Sequence, residues 1–351
     1  MKFKLENLNV GHNFPPVIVA EISGNHDQKI DRALKLISLA KEAGANAVKF
    51  QTYTPNSMTL NSNQTDFKIK GKNNLWEGKS LYDLYEKGST PYDWHEELFQ
   101  YSRKLKLVPF STPFDKKAVE VLENLNCCAY KIASFEITDL PLIKYVASTR
   151  KPMIISTGMA TKEEIQDAIE TIKSEGVNEF VLLKCTSTYP ADAKNSNLKT
   201  MIDMKNRFNC LVGLSDHTLG VEVSLSAAAL GASIIEKHFT INRNDGAIDS
   251  KFSLEPEELK LLCKKTKIVF NSLGKINYGP ANKDEMISRD YRRSIYACSD
   301  IQKDEVFTHK NLKIVRPGKG LNPKELDNII GKKAKKNIKF GIPISWNLVK
   351  K

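Results

Sequence analysis

Short runs rich in Val, Ile and Phe recur along the chain, separated by segments in which apolar residues return at helical spacing. Eight can be counted: VIVAEI (17–22), NAVKFQ (46–51), KLVPFST (106–112), AYKIAS (129–134), PMIISTG (152–158), FVLLKCTS (180–187), VGLSDH (212–217) and SIIEKHF (233–239). Strands that alternate with helices build βαβ units around a parallel sheet. Eight of them predict a (β/α)8 TIM barrel, and the span 1–273 fits the roughly 250 residues typical of that fold.

The intervening helices carry their own signals. Over 30–43 the pattern puts Ala33, Leu34, Ile37, Leu39 and Ala40 on one face, and Gly44 supplies a C-terminal stop. Thr161 with Glu164 three residues on forms a capping box. The stretch 52–105 is far longer than an ordinary strand-to-helix loop, which predicts a cover over the substrate. After a helix over 256–272 the segment GKINYGPANKDE is rich in Gly, Pro, Asn and charge, so 274–289 is expected to be a linker. Residues 290–351 then read as a small, mostly β module with one short helix near 323–330.

Charge separates the two parts. The 351 residues carry a net charge of +12, and from Asp290 onward 15 Lys or Arg face only 6 Asp or Glu. A basic module invites a nucleic-acid or anionic-glycan reading. It lacks the interleaved aromatics of single-strand binders and any helix-turn-helix or zinc pattern, so a solvated basic face near an anionic substrate is favoured. No stretch reaches the roughly 20 apolar residues of a membrane span, and the start MKFKLENLNV lacks an apolar signal region. A cytoplasmic protein with no nucleic-acid and no membrane partner is expected. Six cysteines without C-x-x-C pairs read as free thiols, mostly buried as small hydrophobes.

The chemistry gathers at the strand ends. Glu21, Lys49 with Gln51, Ser111 with Thr112, Lys131 with Ser134, Ser156 with Thr157, Thr186 with Ser187, Ser215 with His217, and Glu236 with His238 all close apolar runs. Barrel active sites lie at that face. Residues two apart on a strand point the same way, so Ser215 shares a direction with His217, and Glu236 with His238. On neighbouring strands, His217 and His238 are candidate ligands of a divalent metal with open positions for water and substrate. Lys49, Lys131 and Lys184, with Ser134, Ser156, Ser187 and Ser215, form a cationic pocket suited to a phosphate and a carboxylate together. The alternatives are an ion pair of a buried lysine with Glu21 or Glu236, or a lysine Schiff-base aldolase.

The stretches AEISGNHDQ, AVKFQTYTP, FSTPFD, YKIAS, ISTGMA, KCTSTYP, GLSDHTLG, EKHFT, FSLEPEEL, RRSIYA and RPGKG together resemble the sialic acid synthase family over essentially the whole chain. AEISGNH, the lid stretch LWEGKSLYDLYEKGSTPYDWHEEL and DGAIDSKFSLEP are similar to the pseudaminate branch more than to the N-acetylneuraminate or legionaminate branches. The resemblance implies a barrel joined to a small antifreeze-protein-like (SAF) domain. It implies phosphoenolpyruvate and an acetamido sugar as substrates, a divalent metal (Mn, Mg or Co), and a domain-swapped homodimer.

Residue by residue, the resemblance places metal ligands at His217 and His238, and phosphoenolpyruvate contacts at Lys49, Thr112, Lys131, Ser134, Ser156, Ser187 and Ser215. Position 187 is often Asn in the N-acetylneuraminate branch. Glu21, Gln51, Tyr189 and Asp249 match positions around the sugar, and Arg316 matches an arginine given to a partner subunit's site. The chemistry implied is attack of phosphoenolpyruvate carbon 3 on the open-chain aldehyde with Lewis-acid help, an oxocarbenium at carbon 2, water addition, and loss of phosphate by C–O cleavage. Glu21 is the candidate for proton transfer.

Overall fold

The computed structural model describes residues 1–70 and 75–350; residues 71–74 of the long insertion, and Lys351, lie outside the described residues. A hairpin of β1 (Lys2–Leu5) and β2 (Leu8–Gly11) comes first, an element absent from the sequence reading. Eight strands follow: β3 (Val17–Glu21), β4 (Ala47–Thr52), β5 (Val108–Pro113), β6 (Tyr130–Ile132), β7 (Met153–Ser156), β8 (Phe180–Cys185), β9 (Leu211–Asp216) and β10 (Ile234–His238). They close into a barrel in the order β10-β3-β4-β5-β6-β7-β8-β9, each pair of neighbours parallel. The expected (β/α)8 barrel is therefore present, and β3, β5, β9 and β10 are buried at every position.

Local chemistry explains the helices. Ile30–Ala43 ends at Gly44, whose φ of 92° is a left-handed cap. Its buried stripe is Ala33, Leu36, Ile37, Ala40 and Ala43, with Leu34 and Leu39 only half-buried. The spacing i, i+3, i+4, i+7 counted from Ala33 selects Leu36, which the sequence reading passed over. Lys162–Ser174 starts at the Thr161–Glu164 capping box. Pro256–Leu273 opens on proline at its first position.

The insertion between β4 and β5 holds the helices Pro55–Met58, Leu81–Gly88 and His95–Lys104. Its far end is tied to the loop after β3. Gln28 Nε2 donates to the carbonyls of Glu86, Lys87 and Ser89 at 3.3, 3.1 and 2.6 Å. Buried His26 meets Thr90 Oγ1 at 3.2 Å. Thr52 Oγ1 meets both His95 Nε2 at 2.7 Å and Ser111 Oγ at 2.6 Å, joining the outer side of β4 and β5 to the third helix.

The chain divides into compact units 1–274 and 275–351. The segment expected to be a linker, 274–289, contains the helix Lys283–Ser288, capped by Asn282. The second unit pairs β11 (Ser294–Ala297) with β12 (Leu312–Val315) and encloses its own core of Ile295, Ile301, Phe307, Leu312, Ile329 and Ile344. Short helical turns cover Pro323–Glu325 and Leu326–Ile329. Among the described residues no helix is long and apolar enough to cross a membrane.

Candidate active site

Strand alternation and register place the polar strand ends together. Lys49 Nζ lies 2.6 Å from Glu21 Oε2 and 3.9 Å from Glu236 Oε1, and donates to Thr112 Oγ1 at 3.1 Å. Lys131 Nζ donates to both oxygens of Glu236 at 2.8 Å, and Ser215 Oγ reaches the same carboxylate at 3.1 Å. Gln51 Nε2 donates to Glu21 Oε1 at 3.1 Å. Two lysines and two glutamates thus form one buried network at the barrel mouth. Both ion-pair alternatives raised by the sequence, Glu21 and Glu236, are realised at once.

The network polarises its members. Burial alone would raise Glu236, but Lys131 and Lys49 outweigh it and hold the carboxyl at about 2. Burial pushes Glu21 up, with Lys49 only partly offsetting it and Glu236 adding to it. Burial works against the charge on Lys49, yet Glu21 and Glu236 raise its pKa, so the ammonium stays charged.

A second cluster lies at the ends of β6, β7 and β8. Gly158 N donates to Ser134 Oγ at 3.1 Å, and a Cβ at Gly158 would meet Ser187 Oγ at 2.2 Å and Ser134 Oγ at 2.8 Å. Only glycine lets the backbone pass so close to these two hydroxyls. Ser156 Oγ is buried and makes no hydrogen bond with the protein. Lys184 does not join this pocket. It is half-buried, and its Nζ donates to the carbonyl of Cys185 at 2.7 Å. Alternation explains the correction: Cys185 points inward, so Lys184 faces the other way.

His217 and His238 have ring centroids 5.3 Å apart. His217 Nδ1 lies 3.0 Å from the Thr186 carbonyl, a pure acceptor, so Nδ1 carries a proton and Nε2 is the nitrogen left to ligate once its own proton is given up. His238 Nδ1 meets Ser23 Oγ at 3.1 Å. Burial, together with His217, Lys49 and Lys131, holds His238 well below the ordinary range, in the neutral form that binds metals. His217 is shifted the other way: burial would lower it, but Cys185, the Thr186 carbonyl and Asp216 outweigh burial and raise it. Two adjacent imidazoles, His217 giving up its extra proton as the ion binds, fit a divalent metal that keeps positions for water and substrate. Among the described residues no group of three or more His, Cys, Asp or Glu side chains is set to hold a metal. Asp249 Oδ2 stands 3.9 Å from His238 Nδ1 and accepts from Gly24 N at 3.4 Å.

The site holds two residues whose part the sequence reading missed. Cys185, counted there among the free thiols, has its Sγ 3.8 Å from His217 Nδ1 and 3.7 Å from Ser187 Oγ. Burial opposes ionisation of this thiol, but His217 brings it down to about 6. Glu136 sits in the turn after β6, where no strand alternation marks it. Its Oε2 is buried without a hydrogen-bond partner, and burial, with Asp139 adding to it, pushes the carboxyl up to about 7.

Above these groups lies a cavity of 430 Å³ whose walls include Gln51, Glu136, Ser187, Tyr189, His238 and Asp249. The insertion roofs it with Tyr53, Ile69, Trp76, Leu81, Leu84 and Tyr85. The Tyr189 ring packs at a tilt against His217, with centroids 4.5 Å apart, and against Phe252 at 5.1 Å. Arg316 belongs to the second unit, where it is exposed just after β12.

Comparison with known proteins finds relatives over most of the chain. Residues 36–278 match the model of the NeuB family, and residues 292–350 match the SAF domain. The pseudaminic acid synthase of Campylobacter jejuni is 46% identical over 92% of this chain and 94% of its own length. That of Helicobacter pylori is 45% identical over 94% and 97%. The crystal structure of N-acetylneuraminic acid synthetase from Leptospira borgpetersenii superposes with a TM-score of 0.73 at 32% identity, covering 82% of this chain and 95% of that one.

Proposed function

The chain belongs to the NeuB family, and on that premise we propose that it carries out the pseudaminic acid synthase reaction. Phosphoenolpyruvate, 2,4-diacetamido-2,4,6-trideoxy-L-altrose and water give pseudaminic acid and phosphate. The identities of 46% and 45% to pseudaminic acid synthases, against 32% to an N-acetylneuraminic acid synthetase, support this acceptor. The observation that carries the chemistry is the buried Lys49–Glu21 and Lys131–Glu236 network, set beside two adjacent imidazoles beneath a 430 Å³ cavity.

Phosphoenolpyruvate binds at the strand ends. Lys49 and Lys131 supply charge, and Thr112, Ser134, Ser156, Ser187, Ser215 and the Gly158 N–H supply hydrogen bonds. The partnerless Ser156 hydroxyl suits a phosphate or carboxylate oxygen. The sugar occupies the roofed cavity, contacted by Gln51, Tyr189 and Asp249, its acetamido methyls and C6 methyl against the aromatic and leucine roof. His217 and His238 would hold a divalent metal, Mn, Mg or Co, and its contribution when bound would be Lewis acidity toward the aldehyde.

Carbon 3 of phosphoenolpyruvate forms the new bond to the aldehyde carbon while the aldehyde oxygen takes up a proton. The cation left at carbon 2 accepts water, which gives up a proton. The tetrahedral adduct then breaks its C–O bond to phosphate, and the remaining hydroxyl loses its proton to become the ketone. Glu21 and Glu136, both held above the ordinary carboxylate range, are suited to give and take these protons near neutral pH. The active unit is a homodimer in which Arg316 completes the partner's sugar site, in the cytoplasm of a cell that makes surface or flagellar glycans.

Incubating the purified protein with Mn²⁺, phosphoenolpyruvate and each candidate acetamido sugar tests the reading. Phosphate release with the altrose sugar, together with a product of pseudaminic acid mass, is expected. Release only with N-acetylmannosamine or the legionaminate precursor would overturn it.

A further inference from the structure

The residue just before each imidazole, Asp216 on β9 and Lys237 on β10, points away from the barrel mouth, and the two are direct partners across the strands. Lys237 Nζ lies 3.2 Å from Asp216 Oδ2, with both side chains essentially without solvent exposure. Asp216 uses its whole carboxylate: Oδ1 accepts from Thr218 N at 2.9 Å and Thr218 Oγ1 at 2.8 Å, while Oδ2 also accepts from Ser224 Oγ at 2.6 Å. Lys237 donates to the Thr218 carbonyl as well.

His217 is therefore the central residue of an Asx turn, its backbone fixed between Asp216 and Thr218. The cation that clamps the far side of the turn is the neighbour of His238. Further backbone bonds pin the same two residues from outside: Ala191 N to the His217 carbonyl at 3.0 Å, and Leu254 N to the His238 carbonyl at 2.8 Å.

Resting on the reading of His217 and His238 as metal ligands, we propose that the Asp216–Lys237 pair is a positioning device that sets the separation of the two imidazoles and thereby the metal affinity. Neither residue touches substrate or metal. An ion pair at this place is costly to bury, and an apolar pair of similar volume packs as well. What the apolar pair lacks is the directed clamp on the turn. Groups that orient ligands from behind typically change metal affinity 10–100-fold when lost.

The test is direct titration of Mn²⁺ into the metal-free protein, with free Mn²⁺ read by its electron paramagnetic resonance signal, alongside thermal melting. Lys237→Met and Asp216→Asn are expected to weaken Mn²⁺ binding about 10–100-fold. The phosphoenolpyruvate KM at saturating Mn²⁺ is expected to shift less than about threefold, since the phosphoenolpyruvate contacts lie elsewhere. Single variants strand a buried partner and are expected to melt earlier than the wild type, so Asp216→Leu/Lys237→Met is made as well. It is expected to melt near the wild-type temperature and still bind Mn²⁺ weakly. If it binds Mn²⁺ as the wild type does, the pair is structural and the inference falls. His217→Ala is the control: should it keep wild-type Mn²⁺ affinity, the ligand assignment fails first and takes this inference with it.

Discussion

Lys131 Nζ donates to both carboxylate oxygens of Glu236, each at 2.8 Å. The lysine proposed to receive an anionic substrate is thus already matched by an internal anion. Phosphoenolpyruvate bound there would share or displace that carboxylate, and without it the network keeps the lysines satisfied.

Removing the internal anion should therefore be costly in the free protein and less so in the liganded one. Glu236→Ala leaves Lys131 and Lys49 without their shared partner, at a cost of about 3–5 kcal/mol. Phosphate or phosphoenolpyruvate should stabilise the variant more than the wild type, because binding to the native state adds directly to stability. Melting curves with and without either ligand check this. An equal shift in both proteins would count against an anion site at these lysines.

The imidazole pair makes a sharper demand. His217→Ala and His238→Ala should each lower metal-dependent turnover by more than the 10–100-fold typical of losing an outer partner. Strand-end truncation opens little core, so melting temperatures should move little. EDTA should abolish wild-type activity and Mn²⁺ restore it, and borohydride with substrate should trap no lysine adduct. Turnover that survives EDTA would instead favour the lysine aldolase.

Glu136 gives a pH signature. Its folded pKa, about 7, stands above the unfolded value near 4.5. Between those values the folded carboxyl keeps its proton while the unfolded one has lost it. Stability from this group is therefore present below about pH 4.5 and is lost as pH rises to about 7, a change on the order of 2–3 kcal/mol. Glu136→Gln should remove that slope from denaturant titrations run across the window. It should also remove an ionisation near 7 from the pH profile of kcat/KM.

Arg316 tests assembly. Arg316→Ala and His217→Ala proteins should each be nearly inactive. Co-expressed, they can form heterodimers in which one site carries both lesions and the other neither, with up to about half of wild-type activity per dimer. Heterodimers that form but stay inactive would remove Arg316 from the site.

Much of this arrangement could be read from the chain because barrel strands obey a two-residue rule. The rule put Ser215 with His217 and Glu236 with His238 on one side, and the structure brings Ser215 to Glu236 and the two rings together. Applied one strand earlier it also excludes Lys184, since Cys185 and Lys184 cannot face the same way. Glu136 and the hairpin of β1 and β2 escaped for a different reason. Glu136 lies in a turn without periodicity, where only burial reveals a shifted carboxyl, and the hairpin's KFKL alternates too briefly to stand out. Leu36 was missed because Leu34 and Leu39, half-buried at the edges of the stripe, were counted into the face instead.

The triple grip of Gln28 on the carbonyls of Glu86, Lys87 and Ser89 gives the insertion a fixed seam. At its other end the Thr54–Ser57 capping box starts the first helix of the insertion just past β4. Between these two joints lie the roof residues Ile69, Trp76, Leu81 and Leu84, while the lysines, glutamates and imidazoles all sit on the barrel. The roof is thus a segment held at two joints, and splicing its counterpart from a relative with another sugar preference at 54 and 86 is expected to move acceptor choice while the Lys49, Lys131, Glu21 and Glu236 network stays in place.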